Sequence, residues 1–356
     1  MSRNLLEPAK IGTLELKNRM VMAPLTRSRA TDNVPNDLMV TYYSQRAGAG
    51  LIITEGTSPS PNGLGYARIP GLFSDAQVAG WKKVTDGVHA KGGKIFVQLM
   101  HTGRVSHSAN LPKDAKILAP SPIGISGQMW TDSEGQQNYP VPAEMTEADI
   151  KSAIQEYIKS CELAVAAGFD GIELHGANGY LMEQFLNPAA NKRTDSYGGS
   201  AENRMRFVLE VARGAADKVG AKKLGIRVSP YGVFNDTGAF EGIDKFYGDL
   251  AAKLSEIGLL YIHVVNHSSM GTPAPSDEVQ RAIRANFKGA YILSGGYDLK
   301  RAEHDLAENR GDLVAFGRPF ISNPNLVEKF KTGAKLVDAD QSTFYTPGPK
   351  GYTDYV

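Results

Sequence analysis

Eight short apolar or β-branched runs recur along the chain, at residues 19–22, 51–54, 95–99, 171–174, 224–228, 261–265, 290–294 and 313–316. Most are separated by segments with helical spacing, such as 150–167, 202–219, 246–257 and 277–286. Thr146-Glu-Ala-Asp149 reads as a capping box opening the first of these helices, Ser200 as the N-cap of the second, and Gly258 as a helix stop. Strands alternating with helices pair in parallel through right-handed crossovers. Eight such units suit a closed (β/α)8 TIM barrel better than an open sheet.

Two stretches depart from the repeat. Before the first strand, Ala9-Lys-Ile-Gly-Thr-Leu-Glu-Leu-Lys17 alternates around a Gly-Thr turn, as an N-terminal β-hairpin plugging the barrel bottom would. After the third strand, residues 102–143 form a long connection rich in Pro, Gly and Ser, and a loop of that length in a compact domain is usually a lid or binding element. Trp130 and Tyr139 within it either cover a site or pin the excursion to the barrel. No repeat or linker marks a second domain, so residues 1–356 read as one domain with an insert at about 102–143.

A formal net charge of +1 without blocks of like charge argues against nucleic acid or a membrane surface as partner. No apolar run is long enough for a signal peptide or a bilayer span, and a cytoplasmic location is expected. The single cysteine, Cys161, excludes an intramolecular disulfide, a cysteine-ligated iron–sulfur cluster and a Cys-rich zinc site, and reads as a buried helix residue.

Catalytic side chains in such a barrel gather at the carboxyl ends of the strands. Those ends supply Ala23-Pro-Leu-Thr-Arg27, Glu55-Gly-Thr57, Gln98 with Met100 and Thr102, then His175, Asn178 and Tyr180. Arg227, Asn266 with His267, Ser294-Gly-Gly296 and Gly317-Arg318 complete the set. Glycines after strands seven and eight let backbone N–H groups approach an anion, and Arg318 adds a permanently charged fork suited to phosphate. Gln98 offers a donor and an acceptor to the imide edge of a ring, Thr26 a hydroxyl to a ring carbonyl, and Arg227 a cation to a ring that becomes negative. Each alone also reads as a satisfied polar residue; their coincidence at one end is the argument. His175 and Asn178 are two neutral donors three positions apart that suit one carbonyl oxygen, and Tyr180 is a phenol that can hand on a proton. No G-x-G-x-x-G after a strand, Walker loop, H-E-x-x-H or G-x-S-x-G occurs, and the seven histidines form no ligand pattern, so no metal is expected. His101 and His263 read as structural, and His89, His107 and His304 as unremarkable helix or loop residues.

These residues resemble the old yellow enzyme family of FMN-dependent ene-reductases, in the branch of N-ethylmaleimide and 12-oxophytodienoate reductases. The motifs that carry the resemblance span the chain: Met22-Ala-Pro-Leu-Thr-Arg27, Glu55-Gly-Thr57, Val97-Gln-Leu99, His175-Gly-Ala-Asn-Gly-Tyr-Leu181, Phe185-Leu-Asn-Pro188, Arg193-Thr-Asp-Ser-Tyr-Gly-Gly-Ser200, Glu202-Asn-Arg204, Arg227-Val-Ser-Pro-Tyr231, Phe316-Gly-Arg-Pro-Phe320 and Gly351-Tyr-Thr-Asp-Tyr355. The resemblance implies non-covalent FMN at the barrel mouth and NADPH or NADH as reductant. Pro24, Leu25 and Thr26 would line the flavin, Gly56 and Gln98 contact its rings, and Arg227 sit by its pyrimidine end. Gly295, Gly296, Gly317 and Arg318 would hold the phosphate. His175 and Asn178 would bind the substrate oxygen, with Tyr180 as proton donor; Tyr66, Met100, Phe234, His267 and Tyr352 would shape the substrate pocket. Hydride would pass by a ping-pong route through flavin N5 to the β-carbon of an activated alkene, and small nitro compounds or nitrate esters fall in the same class. Met100 departs from the tryptophan many relatives carry two residues after the glutamine, which should widen the pocket. A monomer or homodimer fits the family. A non-catalytic flavin store on the same barrel is the alternative; it would keep the phosphate glycines without needing Tyr180.

Overall fold

The computed structural model describes residues 4–356; the first three residues, part of the N-terminal stretch read for a leader, lie outside the described residues. Eight strands close into a parallel barrel in chain order. They are β1 (Met20–Met22), β2 (Leu51–Thr57), β3 (Ile95–Leu99), β4 (Gly171–Gly176), β5 (Leu224–Val228), β6 (Tyr261–Val264), β7 (Ala290–Ser294) and β8 (Leu313–Phe316). Around them lie α1 (Asp37–Gln45), α2 (Asp75–His89), α3 (Glu147–Ala166), α4 (Ala201–Val219), α5 (Ile243–Ile257), α6 (Asp277–Asn286), α7 (Leu299–Ala307) and α8 (Leu326–Thr332). The (β/α)8 architecture read from the eight apolar runs is the observed one.

Local chemistry sets the helix ends. Thr146 Oγ1 accepts from the Asp149 N–H at 3.1 Å while Asp149 Oδ2 accepts from the Thr146 N–H at 2.8 Å, a reciprocal cap. Ser200 Oγ accepts from the Asn203 N–H at 3.2 Å, and Gly258, at φ +90°, ends α5. An N-cap of this kind is worth about 1 kcal/mol.

Strand alternation divides the barrel into two environments. Met20, Met22, Ile52, Val97, Leu99, Ile172, Leu174, Ile226 and Val264 belong to the large core between strands and helices. Val21, Leu51, Ile53, Phe96, Tyr261, Ile292 and Leu313 form a separate interior cluster. Gly171 and Gly225 are required there, because a Cβ would lie 2.3 Å from the Phe96 ring and 2.2 Å from the Tyr261 ring. The same alternation, continued toward the carboxyl ends, places Gln98, Glu173, His175, Arg227 and His263 on the inner face, and all five are buried.

Two strands outrun their apolar signals. β2 extends to Thr57 across a register shift between Ile53 and Gly56, and β4 extends to Gly176, so Glu55 and His175 are strand residues. The barrel interior is polar at this end, and hydrophobic periodicity stops before the strand does.

Strands Ala9–Ile11 and Leu14–Leu16 pair antiparallel, and Ala9, Ile11 and Leu16 pack in the interior cluster with Leu260 and Tyr261. The excursion after β3 closes on itself where Leu118–Ala119 pairs with Ala143–Glu144, and carries a hairpin of Gln128–Thr131 with Gly135–Asn138. Arg193 Nη1 donates to the Pro120 and Met145 carbonyls at 2.9 and 2.6 Å, tying the excursion to the barrel. Among the described residues no helix is long and apolar enough to cross a membrane, and no group of three or more metal-ligating side chains occurs.

Candidate active site

A cavity of about 1000 Å³ opens where the strands end. Sheet register assembles its base: Gly56 pairs with Gln98 and Gln98 with Glu173, while His175 pairs with Arg227 and Arg227 with His263. Four adjacent strands therefore deliver the inner-face polar residues as two neighbouring rows.

Glu173 organises the lower row. Its Oε1 accepts from Gln98 Nε2 at 2.8 Å; its Oε2 accepts from the Tyr261 hydroxyl at 3.1 Å and lies 2.9 Å from His263 Nδ1. Burial holds His263 below its ordinary pKa despite that carboxylate, so the ring is neutral and donates from Nδ1. With its NH2 committed to Glu173, Gln98 offers Oε1 to a ligand, the acceptor an imide N–H needs. Arg227 is buried, and its Nε has no hydrogen-bond partner among the described residues. Burial lowers its pKa and Glu173 opposes that shift. A buried guanidinium with an unmet donor fits an electron-rich ring edge.

The segment after β4 supplies the other face. His175 is buried, and its Nδ1 accepts from the Ala177 N–H at 3.2 Å, which leaves Nε2–H as the ring's donor. Burial, reinforced by Arg227, His263 and His267, pushes its pKa well below the ordinary histidine value, so it donates as a neutral imidazole. Asn178 has φ +59°; its N–H donates to Ser229 Oγ at 2.8 Å and its carbonyl accepts from Asn235 Nδ2 at 2.8 Å. Gly179, at φ +73°, leaves no room for a Cβ, which would meet the Phe234 carbonyl oxygen at 2.5 Å. Glu183 Oε2 accepts from the Gly179 N–H at 2.6 Å and from the Ser229 hydroxyl at 2.8 Å, securing the segment from below.

Tyr180 lies edge-on to His175, ring centroids 4.9 Å apart, and its hydroxyl is 2.9 Å from that of Tyr66. Burial pushes Tyr180 up to about 12, partly offset by the Tyr66 hydroxyl, whereas Tyr66 is driven well above 10. Both phenols are raised by burial, so Tyr180 stays protonated at neutral pH.

Opposite, Gly295 and Gly296 follow β7 at φ +128° and +63°, and a Cβ on Gly295 would lie 2.3 Å from the Asn266 carbonyl oxygen. Gly317 opens the short helix Arg318–Ser322 without a side-chain cap. Uncapped N–H groups beside an arginine favour a phosphate. Pro24, Leu25, Thr26, Gly56, Gln98, Arg227 and Arg318 all line the cavity, as do Tyr66, Met100, Phe234 and His267. The unmet Arg227 donor, the free Gln98 acceptor and the glycine cradle fit the ring and phosphate of FMN.

Tyr352 is a correction. It does not line the cavity but stacks on Tyr42, centroids 4.0 Å apart, with Arg29 and Arg27 4.8 and 5.3 Å from its ring. Arg27 and Arg29 also donate to the Phe344, Gly351 and Thr343 carbonyls, so the C-terminal segment is bound along the end of β1. That segment instead brings Phe344 and Tyr345 to the cavity, alongside Trp130 and Tyr139 from the excursion. Sequence reasoning missed Glu173 and these two aromatics; the one available signal was an acidic residue inside an apolar strand, in phase with His175.

The chain matches the model of the NADH:flavin oxidoreductase / NADH oxidase family over residues 4–336. It is 38% identical to a probable flavin mononucleotide-dependent alkene reductase of Leishmania infantum, over 99% of this chain and 96% of that protein. Morphinone reductase superposes with a TM-score of 0.96 at 42% identity, covering 100% of this chain and 96% of the other. The old yellow enzyme homologue from Zymomonas mobilis gives 0.95 at 37% identity, covering 99% of each. Family, fold and a cavity whose lining fits a flavin agree: the chain belongs to the old yellow enzyme family and is an FMN-dependent, NAD(P)H-using ene-reductase.

Proposed function

We propose that the protein reduces the C=C bond of α,β-unsaturated carbonyls and related activated alkenes, and that nitro compounds and nitrate esters fall within its reach. The observation that carries this reading is the meeting of two neutral donors, His175 and Asn178, with the Tyr66–Tyr180 hydroxyl pair beside the Arg227 ring site. When bound, and held by Gln98, Arg227 and the glycines after β7 and β8, FMN would supply the hydride-transfer chemistry that links the nicotinamide nucleotide to the alkene. The chain's residues handle charge and protons. His175 Nε2–H and the Asn178 amide hold the substrate oxygen as it becomes negative, an oxyanion-hole role commonly worth about 3 kcal/mol per donor. Tyr180 protonates the α-carbon, and the Tyr66 hydroxyl, 2.9 Å away, supports the phenolate left behind. Arg227 balances charge at the far end of the ring. We read residues 1–356 as one domain, the N-terminal hairpin as a plug, and the excursion at 102–143 as a lid over the substrate. We keep a cytoplasmic location as the proposed one; Cys161 is buried on α3, its thiol raised to about 12 by burial.

A flavin store would use Arg227 and the glycines but would have no need of a phenol pair beside two carbonyl donors. The test is spectroscopic. The FMN-loaded protein should lose its yellow absorbance with NADPH under anaerobic conditions and regain it on adding 2-cyclohexenone. A flavin that stays reduced after the enone supports storage, and a chain that takes up no FMN contradicts both readings.

A further inference from the structure

Asn178 is held by its backbone on both sides, through Ser229 and Asn235, so only its side-chain torsions remain free. A primary amide has two unlike ends, and only the NH2 end attracts a carbonyl or phenolate oxygen. With Oδ1 turned toward the substrate, Asn178 would repel the oxygen that His175 attracts. One contact distinguishes these states: His267 Nε2 lies 2.9 Å from Asn178 Oδ1. The imidazole is itself fixed by the Phe234 ring, which meets it edge-on with centroids 4.6 Å apart.

We infer that His267 is a positioning residue, whose Nε2–H holds Asn178 Oδ1 away from the substrate and thereby presents the amide NH2 as the second donor. The assignment rests on the carbonyl-pocket reading above and goes beyond it, because it gives His267 a task other than shaping the pocket. Its surroundings keep the ring neutral: burial, then Arg227 and Arg318, lower its pKa to about 4. The lock makes the site selective. Both donors then face ligand atoms that only accept, and a ligand presenting an N–H at that point meets two hydrogens.

Two measurements on the FMN-loaded protein test this. In protein labelled with 15N-histidine, with His267 assigned by comparison with His267→Gln, the proton should reside on Nε2 at neutral pH. A proton on Nδ1 instead would make Nε2 an acceptor for the amide NH2, turn Oδ1 toward the substrate, and overturn the proposal. In a double-mutant cycle, affinity for 4-chlorophenol is read from the long-wavelength charge-transfer absorbance it forms with the flavin. His267→Ala should weaken binding roughly three- to tenfold, and His267→Gln, which keeps an N–H donor, should recover most of that loss. In an Asn178→Ala background, His267→Ala should change affinity by less than about twofold. Equal losses in both backgrounds would mean that His267 acts independently of Asn178 and would overturn the assignment. Failure of the wild type to bind the phenol would count against the carbonyl pocket itself, and the tautomer measurement would still decide the role of His267.

Discussion

Arg227 is the side chain on which the proposed flavin site rests most directly. It occupies an inner-face position opposite His175, is buried, and has a donor without a partner. A cation so placed is costly unless a ligand completes it. Glu173 offsets part of that cost electrostatically but is committed to Gln98, Tyr261 and His263. Arg227→Met should therefore weaken FMN binding about ten- to a hundredfold without lowering the thermal midpoint of the apoprotein, since a hydrogen bond to a charged group is worth about 1.5–3 kcal/mol. Titration with FMN and a melting curve of the same apoprotein check both halves, and a lowered apo midpoint with unchanged FMN affinity would make Arg227 a structural residue. Met100 acts at the same scale by size: its Sδ and Cε approach Gly56 so closely that a Cβ there would lie 2.6 Å from each. Gly56 therefore leaves space for Met100 within the pocket wall.

At the scale of elements, the site depends on how β4 hands over to the short helix Leu181–Leu186. Glu183, on that helix, carries the Gly179 N–H and the Ser229 hydroxyl in the interior. Burial raises its pKa from 4.5 to about 7, and the same happens to Glu55 on β2. Because the folded state binds these protons more tightly than the unfolded chain, their contribution is full below about pH 4.5 and is lost as pH rises through about 7. The apoprotein's thermal midpoint should thus carry a component that falls between pH 5 and pH 8, and Glu183→Gln should remove about half of that component. An unchanged slope in the variant would mean that Glu183 does not hold its proton in the folded state. These elements also explain what the sequence made legible. Strand positions were readable because the outer face of each strand is apolar, and the capping box because its chemistry is local. The ends of β2 and β4 were not readable, since Glu55 and His175 continue strands whose interior has turned polar. The placement of Tyr352 was not readable either, because only tertiary contacts with Tyr42, Arg27 and Arg29 decide it.

For the whole molecule, closure of the barrel turns eight separate strand ends into one reaction chamber. Gly171 and Gly225 make room for Phe96 and Tyr261 below, and the register above that packed layer aligns Gln98 with Glu173 and His175 with Arg227. The excursion and the C-terminal segment add aromatic walls from parts of the chain far apart in sequence. On the mechanism proposed above, two half-reactions share one chamber, and only the second needs a proton from the protein. Rapid mixing of the FMN-loaded Tyr180→Phe variant, first with NADPH and then with 2-cyclohexenone, separates them. The account predicts flavin reduction within a few-fold of wild type and reoxidation by the enone slowed about 100-fold or more. Equal slowing of both halves, or full-speed reoxidation, would contradict the assignment of Tyr180 as the acid.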